Sequence, residues 1–523
     1  MSHGSAPGRS SYDVVVVGGG HNGLTAAAYL ARAGVSTLVL ERLPATGGAA
    51  VSGQAFPGTG ALLPRYASLV SLMPEALVKE LDLDVELRPR AAASYTPYVR
   101  DGRAGGLLVA RPGAGASAEP FRELTGGDVE HAAWQQLYTE VGELARVVAP
   151  TLLDPLPTES TLSAQVDADL WRELVREPIG HTIERRFSDD TVRGLVATDA
   201  LAGTFADLDD PSLAQNRTFL YHHLGNGTGE WKVPVGGMGA LTDALLRAAV
   251  DAGAEVVTGA GVSSIHAGND GAEVTWHDGS ESRTVACGKV LANVAPWVLR
   301  ILLGDEPDDE TKPAGAQVMV NLLLDRLPAL RSGLDPEVAF AGTLHLNSGY
   351  AQLRTAYADA AAGRFPTVLP GELHCPSLTD PSVLGGHAGH TMTYVGLHTP
   401  ASLFDDPAAR DLVVTRALES INAVVAEPIE RCLSIDAEGS RCLATTVPQD
   451  IERDLAMPGG HMFHGDLEWP WASNRARLDT PAQQWGVATD VASVLLCGSG
   501  ARRGGAVSGI GGHNAAQAVL ADR

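Results

Sequence analysis

The first stretch of the chain sets apolar blocks against polar breaks in an order that predicts a strand, a helix and a second strand. In "YDVVVVGGGHNGLTAAAYLARAGVSTLVLER", Tyr12 to Arg42, the β-branched run Asp13 to Gly18 is bounded by glycine, as a buried parallel strand is. The residues from Gly19 to Gly34 read as a turn and an alanine-rich helix, and "STLVLE" as a strand ending at Glu41. Later, "GTGEWKVPVGGMGALTDALLRAAVDAGAEVVTGAGVSSI" (Gly227 to Ile265) predicts a glycine turn, an amphipathic helix and a strand. From about Ala91 to Leu224, patterns such as "DVEHAAWQQLYTEVGELARVV" have helical spacing broken by Pro150, Pro155 and Pro157, and predict a helical cap. From Val318, "VMVNLLLDRLP" and "HTMTYVGLH" suit strands of a sheet beneath a cavity. No unit of roughly 20 to 50 residues recurs, so a repeat fold is set aside.

Composition narrows the class. The 523 residues are 45% hydrophobic and 5% aromatic, enough for a large core and too long for one simple domain. Formal charge is 38 minus 62, or −24, which argues against nucleic acid or an anionic membrane surface as a general partner. A neutral substrate, or a cation drawn in locally, is expected. Five cysteines without a CxxC pair fit a reduced cytoplasmic interior. The Gly/Ser-rich "MSHGSAPGRS" lacks the apolar core of a signal peptide, and no apolar run is long enough for a transmembrane segment, which leaves peripheral membrane contact open.

Gly18, Gly20 and Gly23 place G-x-G-x-x-G in the strand-to-helix turn, where backbone can approach a pyrophosphate and the helix N-terminus faces it. Glu41 follows Gly23 by eighteen residues (41 − 23), where a carboxylate accepts from ribose hydroxyls and repels a 2′-phosphate. A dinucleotide site is the expectation. A second glycine pair, Gly47 and Gly48, follows in "ERLPATGGAAVSG", where backbone can pass close to a long cofactor. "VLLCGSGARRGG" imitates a nicotinamide fingerprint, but Arg503 takes the third glycine position and too little chain remains for a βαβ unit. No cysteine precedes Cys287, so a redox disulfide on the first helix is excluded, which argues against a disulfide reductase.

The Glu-Arg pair followed by Gly-Gly-Ala resembles FAD-binding flavoproteins of the amine oxidase and phytoene desaturase superfamily. "GTLHLNSGYAQLRTAYADAAAGRFP", "CPSLTDPSV" and "GGHMFHGDLEWP" resemble a phytoene dehydrogenase-like subgroup that includes the pyridine nucleotide-disulfide oxidoreductase domain 2 proteins and some carotenoid ketolases. The resemblance implies an α/β fold. A Rossmann-type, glutathione reductase-like FAD domain would comprise residues 10–90, 225–300 and 485–523. An α+β substrate domain with a helical cap would comprise 91–224 and 301–484. It implies FAD near Gly18, Gly20, His21, Asn22, Gly23, Glu41, Arg42, Gly47, Gly48 and Ala49, with Val262 at the adenine. "KVLANVAPW" places Asn293 at a turn beside the cofactor, here Asn-Val-Ala-Pro where the family usually has Asn-Ala-x-Pro. "VLLCGSGARRGGAVSGIGGHNAAQAVLADR" would close the flavin end through Gly498, Val507 and Ser508, with the last helix starting after Gly511-Gly512.

The expected activity is FAD-dependent dehydrogenation of an apolar or polyene-like small molecule, with oxygen or a quinone as final acceptor. Oxygenation, redox-neutral isomerisation, amine oxidation and a non-catalytic FAD-stabilised scaffold are the rivals. Candidate catalytic side chains are His464 and Asp466 of "HMFHGDLEW", and His223 and Lys232 of "YHHLGNGTGEWKVP", each also readable as an ordinary turn or surface residue. The pairs His387/His390 and His461/His464 lack further ligands at matching spacing, so no metal site is expected. Oligomeric state is not legible.

Overall fold

The computed structural model describes residues 7–111, 117–279 and 281–523; the first six residues of the Gly/Ser-rich leader lie outside them. Two seven-stranded sheets carry the architecture. In the first, strands Glu255–Thr258, Thr37–Glu41, Ser11–Val17 and Ser282–Ala292 lie side by side in parallel, and Val494–Leu496 joins the far end of Ser282–Ala292. Two antiparallel strands, Gly261–Ala267 and Ala272–His277, complete it. The parallel strands Val14–Val17 and Leu38–Leu40 are buried on both faces, which is why they read as uninterrupted apolar runs rather than alternations.

One face of this sheet is covered by helices His21–Arg32, Met238–Asp251 and Ile510–Ala521, whose alanines and glycines let them pack closely. At the crossing of the first and last, a Cβ on Gly512 would lie 1.9 Å from the Asn22 carbonyl, so the two helices meet backbone to backbone. Both helices begin at the same edge of the sheet, beyond the carboxyl ends of its parallel strands, where ligands of open α/β sheets bind.

The second sheet runs Leu443–Thr446, Val318–Leu324, His390–Gly396, Gly371–His374, Thr343–Leu346, Ala92–Arg100 and Arg103–Ala110. It is antiparallel except where Thr343–Leu346 runs parallel to Ala92–Arg100. Helices Val129–Val148, Asp190–Leu201 and Ala214–Leu224 pack beside it in a core of their own.

Two expectations are corrected. The stretch read as a helical cap begins with a β-hairpin, because Tyr95, Thr96, Tyr98 and Val99 favour strands and Asp101-Gly102, at φ of 52° and 73°, make the two-residue turn. The last helix starts at Ile510 rather than after Gly511-Gly512; Gly509, at φ 74°, turns the chain into it, and both glycines sit inside against neighbouring backbone. Among the described residues, no helix is long and apolar enough to cross a membrane.

Candidate functional site

A continuous cavity of about 920 Å³ runs from the edge of the first sheet to the face of the second. At one end it is walled by the strand-to-helix turn. Gly18 takes φ +103°, and its carbonyl accepts from Asn293 Nδ2 at 2.9 Å, which ties the turn to the strand Ser282–Ala292. Gly20 starts the first helix without a side-chain cap, leaving the first-turn amides free of intrahelical partners at the end of the helix that meets the cavity. A Cβ on Gly23 would fall 2.2 Å from the Gly18 carbonyl, so glycine there is a packing requirement.

Glu41 is buried, and burial pushes its carboxyl up from the ordinary value against the pull of its hydrogen bonds. Its Oε2 accepts from Gly19 N at 2.7 Å and its Oε1 from Leu43 N at 2.7 Å. The carboxylate therefore shapes the turn while each oxygen, accepting one bond, keeps further acceptor capacity. Arg42 lies exposed at the rim and donates to the Asp454 carbonyl at 2.6 Å.

Placement of the residues expected at the cofactor divides into two sets. Gly18, Gly20, His21, Glu41 and Arg42 line the cavity. So do Gly48, Ala49, Val262, Asn293 and Val507. Asn22, Gly23, Gly47, Gly498 and Ser508 lie behind that lining: Asn22 and Gly23 in the first helix, Gly47 against Val51 and Thr242, Gly498 against Asn293, and Ser508 donating to the Gly504 carbonyl at 2.6 Å. His21 Nε2 stands 3.1 Å from the Ala506 carbonyl and joins the two ends of the chain at the cavity; burial pushes its pKa down to about 4.

Of the four expected catalytic residues, His464 and His223 line the cavity, whereas Lys232 and Asp466 do not. Lys232 Nζ pairs with Glu75 at 3.0 Å, and Asp466 turns outward to His461 at 3.7 Å. His464 sits at φ 66° with Nδ1 buried and unpartnered, and burial, reinforced by His21 and His461, lowers its pKa to about 4. It is a neutral imidazole at neutral pH. His223 and His222 each place Nε2 3.2 Å from one oxygen of Asp199, and Tyr138 donates to Asp199 at 3.0 Å. Burial pushes the Asp199 carboxyl up, but His222 and His223 outweigh it and hold the group well below the ordinary carboxylate value.

The far wall contains residues that the sequence reading did not single out. His345 faces Glu372 across the strand pair, and His374 follows Glu372 by two residues on the same sheet face. Ser68, Arg90 and Trp231 complete this part of the lining. A signal existed: "GELHC" interrupts an apolar strand with two ionisable residues at the alternation of a single face. Among the described residues, no group of three or more His, Cys, Asp or Glu is placed to hold a metal ion, and all five cysteines are buried and free.

Residues 23–430 match the family model described as flavin containing amine oxidoreductase. The chain belongs to this family. An uncharacterised protein of Mycobacterium tuberculosis is 48% identical over 525 residues, covering 98% of this chain and 97% of its own. Pyridine nucleotide-disulfide oxidoreductase domain-containing protein 2 of mouse is 29% identical over 576 residues, covering 98% and 94%. Among solved structures, a redesigned putrescine oxidase aligns with TM-score 0.59 at 15% identity, covering 98% of this chain and 99% of that one, a likeness of fold.

FAD is the family's cofactor, and the cavity fits it: an uncapped helix start, glycines that open backbone to the ligand, and an acid at the end of the second strand. The protein is an FAD-dependent oxidoreductase of mixed α/β fold.

Proposed function

We propose that the protein dehydrogenates an apolar, polyene-like or alicyclic small molecule that enters the cavity beside the flavin. The observation that carries this reading is the lining beyond the cofactor turn, where Leu69, Leu72, Val109, Val141, Leu195 and Phe463 offer apolar surface that excludes water. When bound, FAD supplies a two-electron acceptor for a hydride equivalent, with oxygen or a quinone as the expected final oxidant. The chain's part is to hold the substrate against the cofactor, keep water out and take the second hydrogen as a proton.

The cofactor contacts proposed for Gly18, Gly20, Glu41, Gly48, Val262, Asn293 and Val507 follow from their place in the lining. Asn22, Gly23, Gly47, Gly498 and Ser508 act from behind, by fixing the backbone that makes those contacts. Among the catalytic assignments, the geometry supports His464, a neutral imidazole, and His223, placed against Asp199, both in the lining.

A second reading, amine oxidation, draws support from Asp199 and Glu372 in the cavity wall, both held below the ordinary carboxylate value, which would favour a protonated amine. One experiment separates the two. The oxidised holoprotein is mixed anaerobically with polyenes, cyclic terpenes and primary amines in parallel, and flavin bleaching and product mass are recorded. Bleaching by the hydrocarbons with loss of two hydrogens is the expected result. Bleaching by amines alone would replace the proposal with the second reading, and a gain of oxygen under air would move it to oxygenation.

A further inference from the structure

The polar wall contains a connected series of hydroxyl, imidazole and carboxylate. Ser68 Oγ lies 3.1 Å from His374 Nδ1, and His374 Nε2 lies 3.3 Å from Glu372 Oε2. On the other carboxylate oxygen, His345 Nε2 stands 3.9 Å from Glu372 Oε1, and its Nδ1 is 3.0 Å from Thr96 Oγ1. Glu372, His374 and His345 are all buried, and with Ser68 they line the cavity.

The proton positions can be assigned. Burial pushes the Glu372 carboxyl up, but the hydrogen bond from His374 and the neighbouring histidines outweigh it and keep the group ionised. An ionised carboxylate only accepts, so His374 Nε2 donates to it, and the neutral tautomer that makes this bond offers Nδ1 as an acceptor. In that tautomer the Ser68 hydroxyl donates to Nδ1. The order is hydroxyl, imidazole, carboxylate, each oriented by the next, the arrangement by which a weakly acidic hydroxyl is made able to give up its proton.

Ser68 also sits at the junction of the two halves of the cavity. Its neighbour Ala67 donates its backbone N–H to the Ala49 carbonyl at 3.1 Å, next to the Gly48-Ala49 turn, while its own side chain reaches the second sheet. Anchoring this segment does not require the histidine: Arg65 N bonds to the Val51 carbonyl at 3.0 Å, and Val70 and Lys232 exchange two backbone bonds of 2.9 and 2.8 Å. Burying a carboxylate beside two imidazoles is a weak way to gain stability. Such groups in a cleft are candidates for chemistry.

We infer that Ser68, His374 and Glu372 form the relay that accepts the proton of the dehydrogenation. Ser68 is the catalytic residue, and His374 and Glu372 are positioning residues acting through it. This rests on the dehydrogenase reading above. As the substrate C–H bond breaks in favour of a new double bond, its proton passes to Ser68 Oγ and the Ser68 hydrogen passes to His374 Nδ1. The resulting imidazolium keeps Nε2–H on the Glu372 carboxylate. The hydride equivalent leaves to FAD, so two hydrogens and two electrons are accounted for.

The test uses the FAD-loaded protein and a fluorophosphonate, which needs no knowledge of the substrate. Attack by Ser68 forms an Oγ–P bond, breaks P–F and releases fluoride, while the serine proton goes to His374 Nδ1. Peptide mass mapping is expected to find the adduct on Ser68. Ser68→Ala should lose it, and His374→Asn and Glu372→Gln should form or permit it roughly 100-fold more slowly. Rates are compared only in variants that retain wild-type FAD content, and either slowed variant suffices. No adduct on wild-type Ser68, or an unchanged rate in both His374→Asn and Glu372→Gln, overturns the relay. FAD content, read from the visible spectrum, keeps the two ideas apart. A yellow protein without the adduct sinks the relay alone, and a labelled protein that never takes up FAD sinks the flavoenzyme reading.

Discussion

The cofactor end of the cavity is built mostly of backbone, and the opposite wall mostly of ionisable side chains. At the first, Gly18, Gly20 and Gly48 present peptide groups and Glu41 braces the turn through two backbone amides. At the second, Asp199, Glu372 and four histidines come from two helices and two strands. The difference teaches where each kind of site can be read. A backbone site is written in consecutive residues, because conformation is local. A side-chain site is written across the chain, because only packing brings its members together.

Substitutions can break or sharpen this contrast. The largest effect is expected for Gly23→Ala, whose methyl would meet the Gly18 carbonyl at 2.2 Å; the variant should lose FAD and most soluble yield, read by visible absorbance. A yellow, well-expressed Gly23→Ala protein would show that the turn tolerates rearrangement and that the backbone description is wrong.

Asp199→Asn comes next, on the other wall. It removes the charge that His222, His223 and Tyr138 share, and should cost about 2 kcal/mol in urea unfolding at neutral pH. The sign with pH follows from the lowered carboxyl: its stabilisation is present above the ordinary carboxylate range and is lost as pH falls below about 4 toward the folded value. The deficit of Asp199→Asn should therefore shrink in acid. A deficit that stays constant would mean that the charge is not what matters there.

Gly20→Ala sharpens the comparison further, since the nearest protein atom to its new methyl is Asn293 Nδ2 at 3.1 Å. The variant should fold normally yet bind FAD about tenfold more weakly by flavin fluorescence titration, because the methyl projects where the cofactor approaches. Unchanged affinity would place the cofactor farther from this turn. The smallest effect is expected for Glu41→Gln, which keeps an acceptor for one of Gly19 N and Leu43 N and should weaken FAD by about fivefold, roughly 1 kcal/mol.

Legibility followed the same division. The strand, glycine turn, helix and acid were all visible in residues 12–42, and Asn293 was placed through "KVLANVAPW". The hairpin at Ala92–Arg100 and Arg103–Ala110 had a local signal in Asp101-Gly102 that the surrounding helical pattern masked. Lys232 and Asp466 carried attractive chemistry in sequence, yet each found a partner away from the lining, Glu75 and His461. Nothing in one chain position tells a side chain which neighbour it will meet.

The sequence by itself determined the dinucleotide turn and the apolar parallel strands, because these depend on glycine conformations and hydrophobic periods within a few tens of residues, while the family was legible through the resemblance of its motifs. Tertiary structure alone decided the wall opposite. Ser68 and His374 are separated by 306 residues, and Asp199 reaches its histidines only because two helices pack side by side. Their meeting is fixed by sheet register and core packing, which no local window contains.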